Sequence, residues 1–286
     1  GILITESHIV LRDIHKSFTS KDSKQVIALD NVTLNIKHGE FISLLGPSGC
    51  GKSTLLNIIA GLDQQTSGDI TVNGKPIVGP GNDRIVVFQE SGLFPWLSVL
   101  DNVMYGLLIK KVPKEEAKER AMKWLQKVHL GKFAHAQPHE LSGGMKQRVA
   151  IARALVMDPE ILLMDEPFAA LDEQTRMVLH KELEELWYET KKTIIFVTHN
   201  IREAVVLSDR ILLMKTRPGG IKNIFDVKAA RPRTATDSLL VHLENRILTE
   251  LEQEMEKVLK EEFGNDYDLK KDHLRSDPNS NLGSDI

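Results

Sequence analysis

Short apolar runs alternate with longer amphipathic stretches along most of the chain. Residues 41–45, 161–164 and 193–197 are almost wholly apolar, as is typical of strands that are buried on both faces of a parallel sheet. Amphipathic stretches predict helices at 52–60, 142–157 and 172–188. Strands that alternate with helices favour an α/β fold with a largely parallel sheet.

Other strands are predicted where apolar and polar positions alternate. Val32, Leu34 and Ile36 alternate with threonine and asparagine, so a strand over 26–36 has one buried face. Shorter strands are predicted at 8–12, 70–72, 85–88 and 211–214. A mostly helical region over 100–128 is interrupted near Pro113.

The C-terminal part has a different pattern. Apolar residues recur at three- and four-residue steps, which predicts an amphipathic helix of about seven turns over 237–263; they are Leu240, Leu243, Ile247, Leu251, Met255 and Val258. Residues 264–286 are polar and charged and predict a loose tail. Three roles for the helix stay open, namely packing on its own domain, contact with its counterpart in a dimer, and regulation.

Composition excludes several classes of function. The 286 residues carry 37 Lys and Arg against 40 Asp and Glu, a net charge of −3, so no global basic charge favours nucleic-acid binding. No run approaches the roughly 18 apolar residues that span a bilayer, so a partner would have to supply any membrane-spanning part. A single cysteine excludes an internal disulfide and fits a reducing compartment.

A phosphate-binding loop follows the predicted strand 41–45 and opens the helix 52–60. Its residues match G-x-x-x-x-G-K-[ST] and run Gly46-Pro47-Ser48-Gly49-Cys50-Gly51-Lys52-Ser53, with Thr54 next in the helix. Backbone N–H groups in such a loop form a nest for phosphate oxygens, and the helix N-terminus adds positive potential. Lys52 is predicted to reach the β- and γ-phosphates, and Ser53 to offer its hydroxyl to Mg²⁺.

Two carboxylates end the apolar strand at 161–164. Asp165 is predicted to hold Mg²⁺, directly or through water, because ligands bind beyond the carboxyl ends of parallel strands. Glu166 is predicted to polarise the attacking water as a general base. The alternative is that both carboxylates cap the next helix.

A second glycine-rich segment indicates the family. Leu141-Ser142-Gly143-Gly144-Met145 resembles the L-S-G-G-Q signature of ABC ATPases, with methionine in place of glutamine. The resemblance implies that Ser142, Gly143 and Gly144 cover the γ-phosphate of ATP bound to a second subunit. The implied assembly is a head-to-tail pair, with the same or a homologous subunit, that holds two ATP molecules.

Other positions follow the order of that family between about residues 8 and 228. Gln89 matches the Q-loop glutamine, a catalytic and Mg²⁺-contacting position, and His199 matches the switch histidine that contacts the γ-phosphate. Residues 170–172 match the D-loop. Phe18 lies near the position of an aromatic residue that stacks on adenine, although it lacks the hydroxyl of the commoner tyrosine.

The resemblance implies a P-loop NTPase fold of the ABC type. It comprises a mostly parallel sheet core, an antiparallel β subdomain and a helical signature subdomain, here followed by the C-terminal helix. We expect an ABC nucleotide-binding domain over 1–228 with its helical subdomain at about 90–157, a helical extension over 229–263 and a polar tail over 264–286.

Cys50 lies inside the phosphate loop and has two interpretations. Positive potential at a helix start lowers a thiol pKa, which would suit a redox switch. The other interpretation is a small residue that the loop tolerates.

Three segments resemble one subgroup, the nitrate, sulfonate and taurine importer ATPases: 79–90 (GPGNDRIVVFQE), 93–99 (LFPWLSV) and 217–220 (RPGG). The resemblance implies an ATPase that powers uptake of a small anion. The implied partners are transmembrane permease subunits and, indirectly, an extracytoplasmic solute-binding protein. The implied location is the cytoplasmic face of the inner membrane, and no nucleic-acid partner is expected.

The segment 94–97 contains two aromatic residues just after Gln89. An exposed aromatic patch there would suit a groove that receives a short helix of the permease. The alternative is that Trp96 is buried in the helical subdomain.

Two rival classes remain. An ABC ATPase that is not coupled to transport could act in DNA repair or on ribosomes, but such proteins usually carry a long inserted coiled coil or two cassettes. A non-catalytic ATP-binding subunit would be expected to lack one of Asp165, Glu166 and His199, and all three are present.

Overall fold

The computed structural model describes residues 7–234 and 236–265. The strands are β1 (Ser7–Thr19), β2 (Gln25–Lys37), β3 (Phe41–Leu45), β4 (Ser67–Val72), β5 (Lys75–Pro76), β6 (Arg84–Val87), β7 (Ile161–Asp165), β8 (Thr193–Thr198), β9 (Arg210–Lys215) and β10 (Gly220–Asp226). The helices are α1 (Lys52–Ala60), α2 (Val99–Ile109), α3 (Lys114–Lys127), α4 (Gly143–Leu155), α5 (Glu173–Thr190), α6 (Ile201–Leu207) and α7 (Ser238–Phe263). All but two residues of the predicted tail lie outside the described residues.

One sheet is antiparallel, in the order β2-β1-β4-β5. The strand predicted at 8–12 is present but longer than predicted, because β1 continues to Thr19. It pairs with β2 along this length through register shifts between Leu11 and Ser17. Such irregular pairing breaks the two-residue alternation on which the prediction depended.

The second sheet has six strands in the order β10-β9-β3-β8-β7-β6. Its neighbours are parallel except for β10, which is antiparallel to β9. Leu45 pairs with Thr198 and Asp165 pairs with Val197. The carboxyl ends of β3, β7 and β8 therefore lie side by side, and the segments that follow them meet at one edge.

Three cores hold the layers together. The first joins α2, α3 and α4 to the parallel sheet, with Phe41, Phe168 and Phe196 fully buried. The second surrounds α1 between the two sheets. The predicted α/β fold, with its parallel core, antiparallel sheet, signature helices and C-terminal helix, is confirmed.

Three of these elements were not predicted. Strand β5 has only two residues, too few to show any pattern. Helix α6 has only seven residues, too few for helical periodicity to be distinctive. Strand β10 follows the turn at 216–219 and contains the polar residues Lys222 and Asn223, so no apolar run marks it.

The third core attaches the C-terminal helix. Asp237 caps α7 by accepting a hydrogen bond from the Leu239 N–H at 3.0 Å. Leu240, Ile247 and Leu251 of α7 pack with Phe225 of β10 and with α6. The predicted domain boundaries at 228 and 263 stay predictions. Within residues 7–234 and 236–265, no helix is both long enough and apolar enough to cross a bilayer.

Arg233 connects the strand layer to the segment that leads into α7. Its guanidinium donates to the carbonyl oxygens of Val205 (3.0 Å), Val227 (3.2 Å) and Ala229 (3.1 Å), and also to Ser208. A cation at the C-terminal end of α6 also interacts favourably with the helix dipole. Burial lowers the pKa of Arg233 to about 10, well above neutrality, so the side chain stays charged.

Replacing Arg233 with alanine should lower the free energy of unfolding by about 2–3 kcal/mol, because several carbonyl groups lose a charged donor. Urea unfolding followed by circular dichroism measures this change. Arg12→Ala, at an exposed position of β1, is the control and should stay within about 0.5 kcal/mol of the unaltered chain. Equal effects of the two substitutions would contradict the anchoring role of Arg233.

Candidate active site

The phosphate loop connects β3 to α1 in a conformation that requires glycine. Gly49 and Gly51 have positive φ values of 79° and 85°, which residues with a Cβ rarely adopt. A Cβ at Gly51 would also lie 2.6 Å from the Leu29 side chain. Helix α1 begins at Lys52 without a side-chain cap, so its first N–H groups remain available to an anion.

Lys52 points its charge into the loop. The residue is only 7% exposed, and its Nζ donates to the Gly46 carbonyl oxygen at 2.6 Å. The same ammonium lies 3.6 Å from Oε1 of Glu166. A buried ammonium needs such partners because desolvation penalises the charge.

Glu166 joins the loop to the end of β8. His199 Nδ1 lies 2.8 Å from Glu166 Oε1, and the Glu166 N–H donates to the Val197 carbonyl at 2.9 Å. Burial raises the pKa of Glu166, but the hydrogen bond with His199 and the charge of Lys52 outweigh it, so the net pKa is lowered. The carboxylate is therefore kept ionised, as a proton acceptor requires.

Ser53 and Asp165 meet beside Glu166. The Ser53 hydroxyl donates to Asp165 Oδ1 at 3.3 Å. Burial raises the pKa of Asp165, and the Ser53 hydrogen bond partly offsets this. Among the described residues there is no cluster of three or more His, Cys, Asp or Glu that could hold a metal by itself. One hydroxyl and one carboxylate fit Mg²⁺, which usually takes few protein oxygens together with phosphate and water.

The predicted site residues are only partly brought together. One pocket is lined by 48–54 and Glu166. Phe18 does not line it: the residue lies on β1 opposite Val26, is 44% exposed, and has Lys16 Nζ 4.9 Å from its ring centroid. Gln89 is exposed on the segment after β6. The roles of Phe18 and Gln89 stay predictions.

The glycine-rich segment at the start of α4 packs against the start of α5. Ser142 caps α4 by accepting from the Met145 N–H at 3.2 Å, and Asp172 caps α5 by accepting from the Thr175 N–H at 2.8 Å. A Cβ at Gly144 would lie 2.6 Å from the Thr175 methyl group. Gly144 therefore permits a close approach of the two helix starts.

Comparisons with known proteins decide the family. The family model of the ABC transporter matches residues 29–169. The uncharacterized ABC transporter ATP-binding protein MJ0412 of Methanocaldococcus jannaschii is 52% identical over 84% of this chain and 90% of its own length. The chain belongs to the ABC transporter ATP-binding family.

Two named relatives of this ABC protein belong to import or transport systems. The aliphatic sulfonates import ATP-binding protein SsuB of Bacillus thuringiensis is 43% identical over 85% of this chain and 96% of its own length. The bicarbonate transport ATP-binding protein CmpC of Synechococcus elongatus is 47% identical over 80% of this chain, a match that spans 35% of CmpC. The predicted resemblance to import ATPases is confirmed.

A solved structure supports the activity. The dimeric ATP-binding cassette MJ0796, in a post-hydrolysis state bound to ADP and Pi, aligns with a TM-score of 0.69 and 37% identity. The alignment covers 78% of this chain and 100% of that one. Together with the family membership, this alignment confirms the predicted activity. The chain is an ABC-type ATPase that binds adenine nucleotide.

Gln147 is a connecting residue of this ABC ATPase that the sequence analysis missed. It is 3% exposed on α4, and its Nε2 lies within hydrogen-bonding distance of the carbonyl oxygens of Phe88, Gln89 and Pro167. The side chain thus ties the Gln89 segment to the residue after Glu166. A polar residue on the buried face of a predicted helix was the available signal, because such groups need buried partners.

The segment of His199 is held by a second buried carboxylate that was also missed. Glu203 of α6 accepts a hydrogen bond from the Thr198 hydroxyl at 2.6 Å and lies 2.5 Å from His180 Nε2 of α5. Asn200 caps α6 by accepting from the Glu203 N–H at 3.0 Å. The residues on both sides of His199 are therefore fixed.

The redox interpretation of Cys50 loses its chemical basis. The thiol is fully buried. Burial raises its pKa and outweighs the nearby charge of Lys52. A protonated, inaccessible thiol is unreactive, which favours the interpretation of a small residue that fits the loop.

Replacing Glu166 with glutamine should lower kcat for ATP hydrolysis by at least about 100-fold, because the amide cannot accept a proton from water. ATP binding should persist, and ATP should then trap a closed dimer. Phosphate release and size-exclusion chromatography with ATP measure the two effects. Glu119→Gln, which removes an exposed carboxylate on α3, is the matched control. Rapid turnover by Glu166→Gln would contradict the assignment of the base.

Proposed function

We propose that this ABC ATPase binds ATP with Mg²⁺ at the phosphate loop and hydrolyses it to drive import of a small anion through a membrane permease supplied by other chains. One observation carries the catalytic part. Oε1 of Glu166 lies 2.8 Å from His199 Nδ1 and 3.6 Å from Lys52 Nζ, beside the pocket that the loop forms.

The phosphate groups of ATP are bound by the loop residues 46–54. Backbone N–H groups contact the phosphate oxygens, and Lys52 contacts the β- and γ-phosphates. Ser53 and Asp165 hold Mg²⁺, with Gln89 as a further contact. When bound there, Mg²⁺ neutralises negative charge on the β- and γ-phosphates. Phe18 stacks on the adenine.

Glu166 and His199 act on the transferred group. Glu166 takes a proton from water as the water oxygen forms a bond to the γ-phosphorus. The bond from that phosphorus to the β–γ bridging oxygen breaks, and ADP and phosphate result. The lowered pKa of Glu166 supports this role. His199 contacts the γ-phosphate and holds the Glu166 carboxylate in place.

A second ATP-binding subunit completes each site. Ser142, Gly143 and Gly144 at the start of α4 provide N–H groups at a helix N-terminus, which favours an anion. They cover the γ-phosphate held by the other subunit in a head-to-tail pair. The dimeric state of the cassette MJ0796 with ADP and Pi supports this arrangement. ATP closes the pair and hydrolysis reopens it, a shift between two populations.

A groove beside the Gln89 segment suits a short helix of the permease. It has a volume of about 390 Å³, and its lining includes Phe88, Phe94, Tyr105 and Met157. Trp96 is 73% exposed next to it, so the interpretation of Trp96 as a buried core residue is wrong. Exposed aromatic side chains beside a groove are typical of binding sites for a partner helix.

Conformational change is transmitted to this groove through Gln147, whose Nε2 contacts the carbonyl oxygens of Gln89 and of Pro167, the residue after Glu166. Arg153 of α4 also donates to the Gly92 carbonyl at 2.9 Å and to Ser91. Closure of the dimer at the nucleotide therefore displaces the groove wall, which couples ATP binding to the permease.

The transported solute is a small anion such as a sulfonate, nitrate or taurine, delivered by an extracytoplasmic binding protein. The names of SsuB and CmpC support a sulfonate or bicarbonate-like solute. The ATPase then lies on the cytoplasmic face of the inner membrane, bound to the permease.

Gentle pull-down of the tagged chain from its native membranes should recover a multi-spanning permease and an extracytoplasmic binding protein, identified by mass spectrometry. Calorimetric titration of that binding protein with sulfonates, nitrate, taurine and bicarbonate then identifies the solute. Recovery of only ribosomes, DNA or other non-membrane partners would contradict transport and favour an ABC ATPase that is not coupled to it.

Trp96→Ala should weaken association with the permease by at least about 30-fold, since a tryptophan at the centre of an interface often contributes 2 kcal/mol or more. ATP binding and the melting temperature should not change. Tyr188→Ala is the control, because Tyr188 of α5 is equally exposed at 73%. Unfolding of Trp96→Ala, or unchanged permease association, would contradict the docking role.

A further inference from the structure

A buried carboxylate on the C-terminal helix contacts the segment that supports the phosphate loop. Glu254 of α7 is 1% exposed. Its Oε2 accepts a hydrogen bond from the backbone N–H of Thr216 at 2.9 Å. Lys257 Nζ lies 2.9 Å, and Lys222 Nζ 3.4 Å, from Oε1 of the same carboxylate.

These partners keep Glu254 charged. Burial raises its pKa, but the Thr216 N–H and the two lysines outweigh burial and lower it. A buried charge that is fully partnered fixes the position of its partners, because separating them leaves the charge desolvated and unpaired. Glu254 therefore holds the Thr216 backbone in one place.

Thr216 is the first residue of the turn between β9 and β10, and this turn lies behind the phosphate loop. The Thr216 hydroxyl donates to the Gly49 carbonyl oxygen at 3.4 Å, a long hydrogen bond. At the other end of the turn, a Cβ on Gly219 would lie 2.5 Å from the Cys50 carbonyl oxygen. The turn thus contacts two consecutive peptide groups of the loop.

The turn is attached elsewhere at two further points. Gly219 accepts a hydrogen bond from the Asp30 N–H of β2 at 2.8 Å. Arg217 forms an ion pair with Glu261, near the end of α7. Helix α7 therefore contacts the turn through Thr216 and through Arg217.

We propose that Glu254 is a positioning residue for nucleotide binding: through Thr216 and the turn that Thr216 begins, it fixes the backbone of Gly49 and Cys50, so the C-terminal helix sets the affinity of the phosphate loop. The proposal rests on nucleotide binding at that loop. It assigns α7 an effect on ATP affinity in addition to its packing on β10 and α6. The effect falls on binding, because Glu254 contacts neither Glu166 nor His199.

The purified chain is titrated with a fluorescent ATP analogue, mant-ATP, in the presence of Mg²⁺, and steady-state ATPase assays give KM and kcat. Glu254→Gln should raise Kd and KM by about 10-fold, the loss of one charged hydrogen bond, and leave kcat within about 2-fold. Thr216→Val keeps the backbone N–H and loses the hydroxyl, and it should raise both constants by about 3-fold.

The two substitutions should not combine additively, because they interrupt one chain of contacts. The double variant should bind mant-ATP within about 2-fold of Glu254→Gln alone. Glu262→Gln, which removes an exposed carboxylate on the same helix, should bind like the unaltered chain. Leu251→Ala removes an apolar contact of α7 and should lower the melting temperature without the selective rise in KM.

Unchanged Kd and KM for Glu254→Gln would overturn the proposal. So would a Leu251→Ala variant that loses as much stability as Glu254→Gln and raises Kd and KM by the same factor. If Glu254→Gln does not fold, Thr216→Val decides it, with unchanged affinity as the contrary result. Lys52→Ala separates this inference from the proposed function. If Lys52→Ala binds mant-ATP as well as the unaltered chain, the proposed nucleotide site is contradicted. If Lys52→Ala loses binding but Glu254→Gln binds normally, only the role of α7 is contradicted.

Discussion

The site depends on one constraint, the burial of the Lys52 ammonium at the start of a helix whose own N-terminus is already positive. Such a charge is stable only if fixed oxygen atoms surround it. The Gly46 carbonyl and the Glu166 carboxylate provide them. Glu166 also contacts His199. The partners that stabilise the Lys52 charge therefore connect the ends of β3, β7 and β8. A phosphate group would join this network as a further anionic partner.

The part of the site that the sequence predicts is local in the chain. The residues 46–54 form a continuous segment, and Asp165 with Glu166 directly follows an apolar strand, so spacing alone identifies them. Gln147 and Glu203 could not be found in this way. Gln147 binds a carbonyl 58 residues earlier in the chain, and Glu203 contacts a histidine 23 residues away. Their roles depend on tertiary packing, which periodicity does not encode.

Two of the features that the sequence did not reveal have a common physical origin. Exposed or half-exposed segments have no apolar pattern that indicates their structure. The extension of β1 to Thr19 and the polar strand β10 are of this kind. Helix α6 is largely buried, and it was missed because seven residues are too few for a helical pattern. Trp96 shows the reverse, since a large apolar side chain is 73% exposed. Helix α7 was predicted well because apolar residues recur at helical spacing over its whole length, and three of them, Leu240, Ile247 and Leu251, are buried.

The close approach at Gly144 has an evolutionary consequence. An alanine there would place its methyl carbon 2.6 Å from the Thr175 methyl group, a separation that packed atoms do not tolerate. A larger residue at 144 would therefore have to displace the Thr175 side chain, whereas a smaller residue at 175 would remove the contact. If position 144 became larger first, with threonine still at 175, the intermediate protein would be crowded at this contact and selected against. Substitution at 175 before 144 is therefore the favoured order, and mutational paths through this part of the protein are directional.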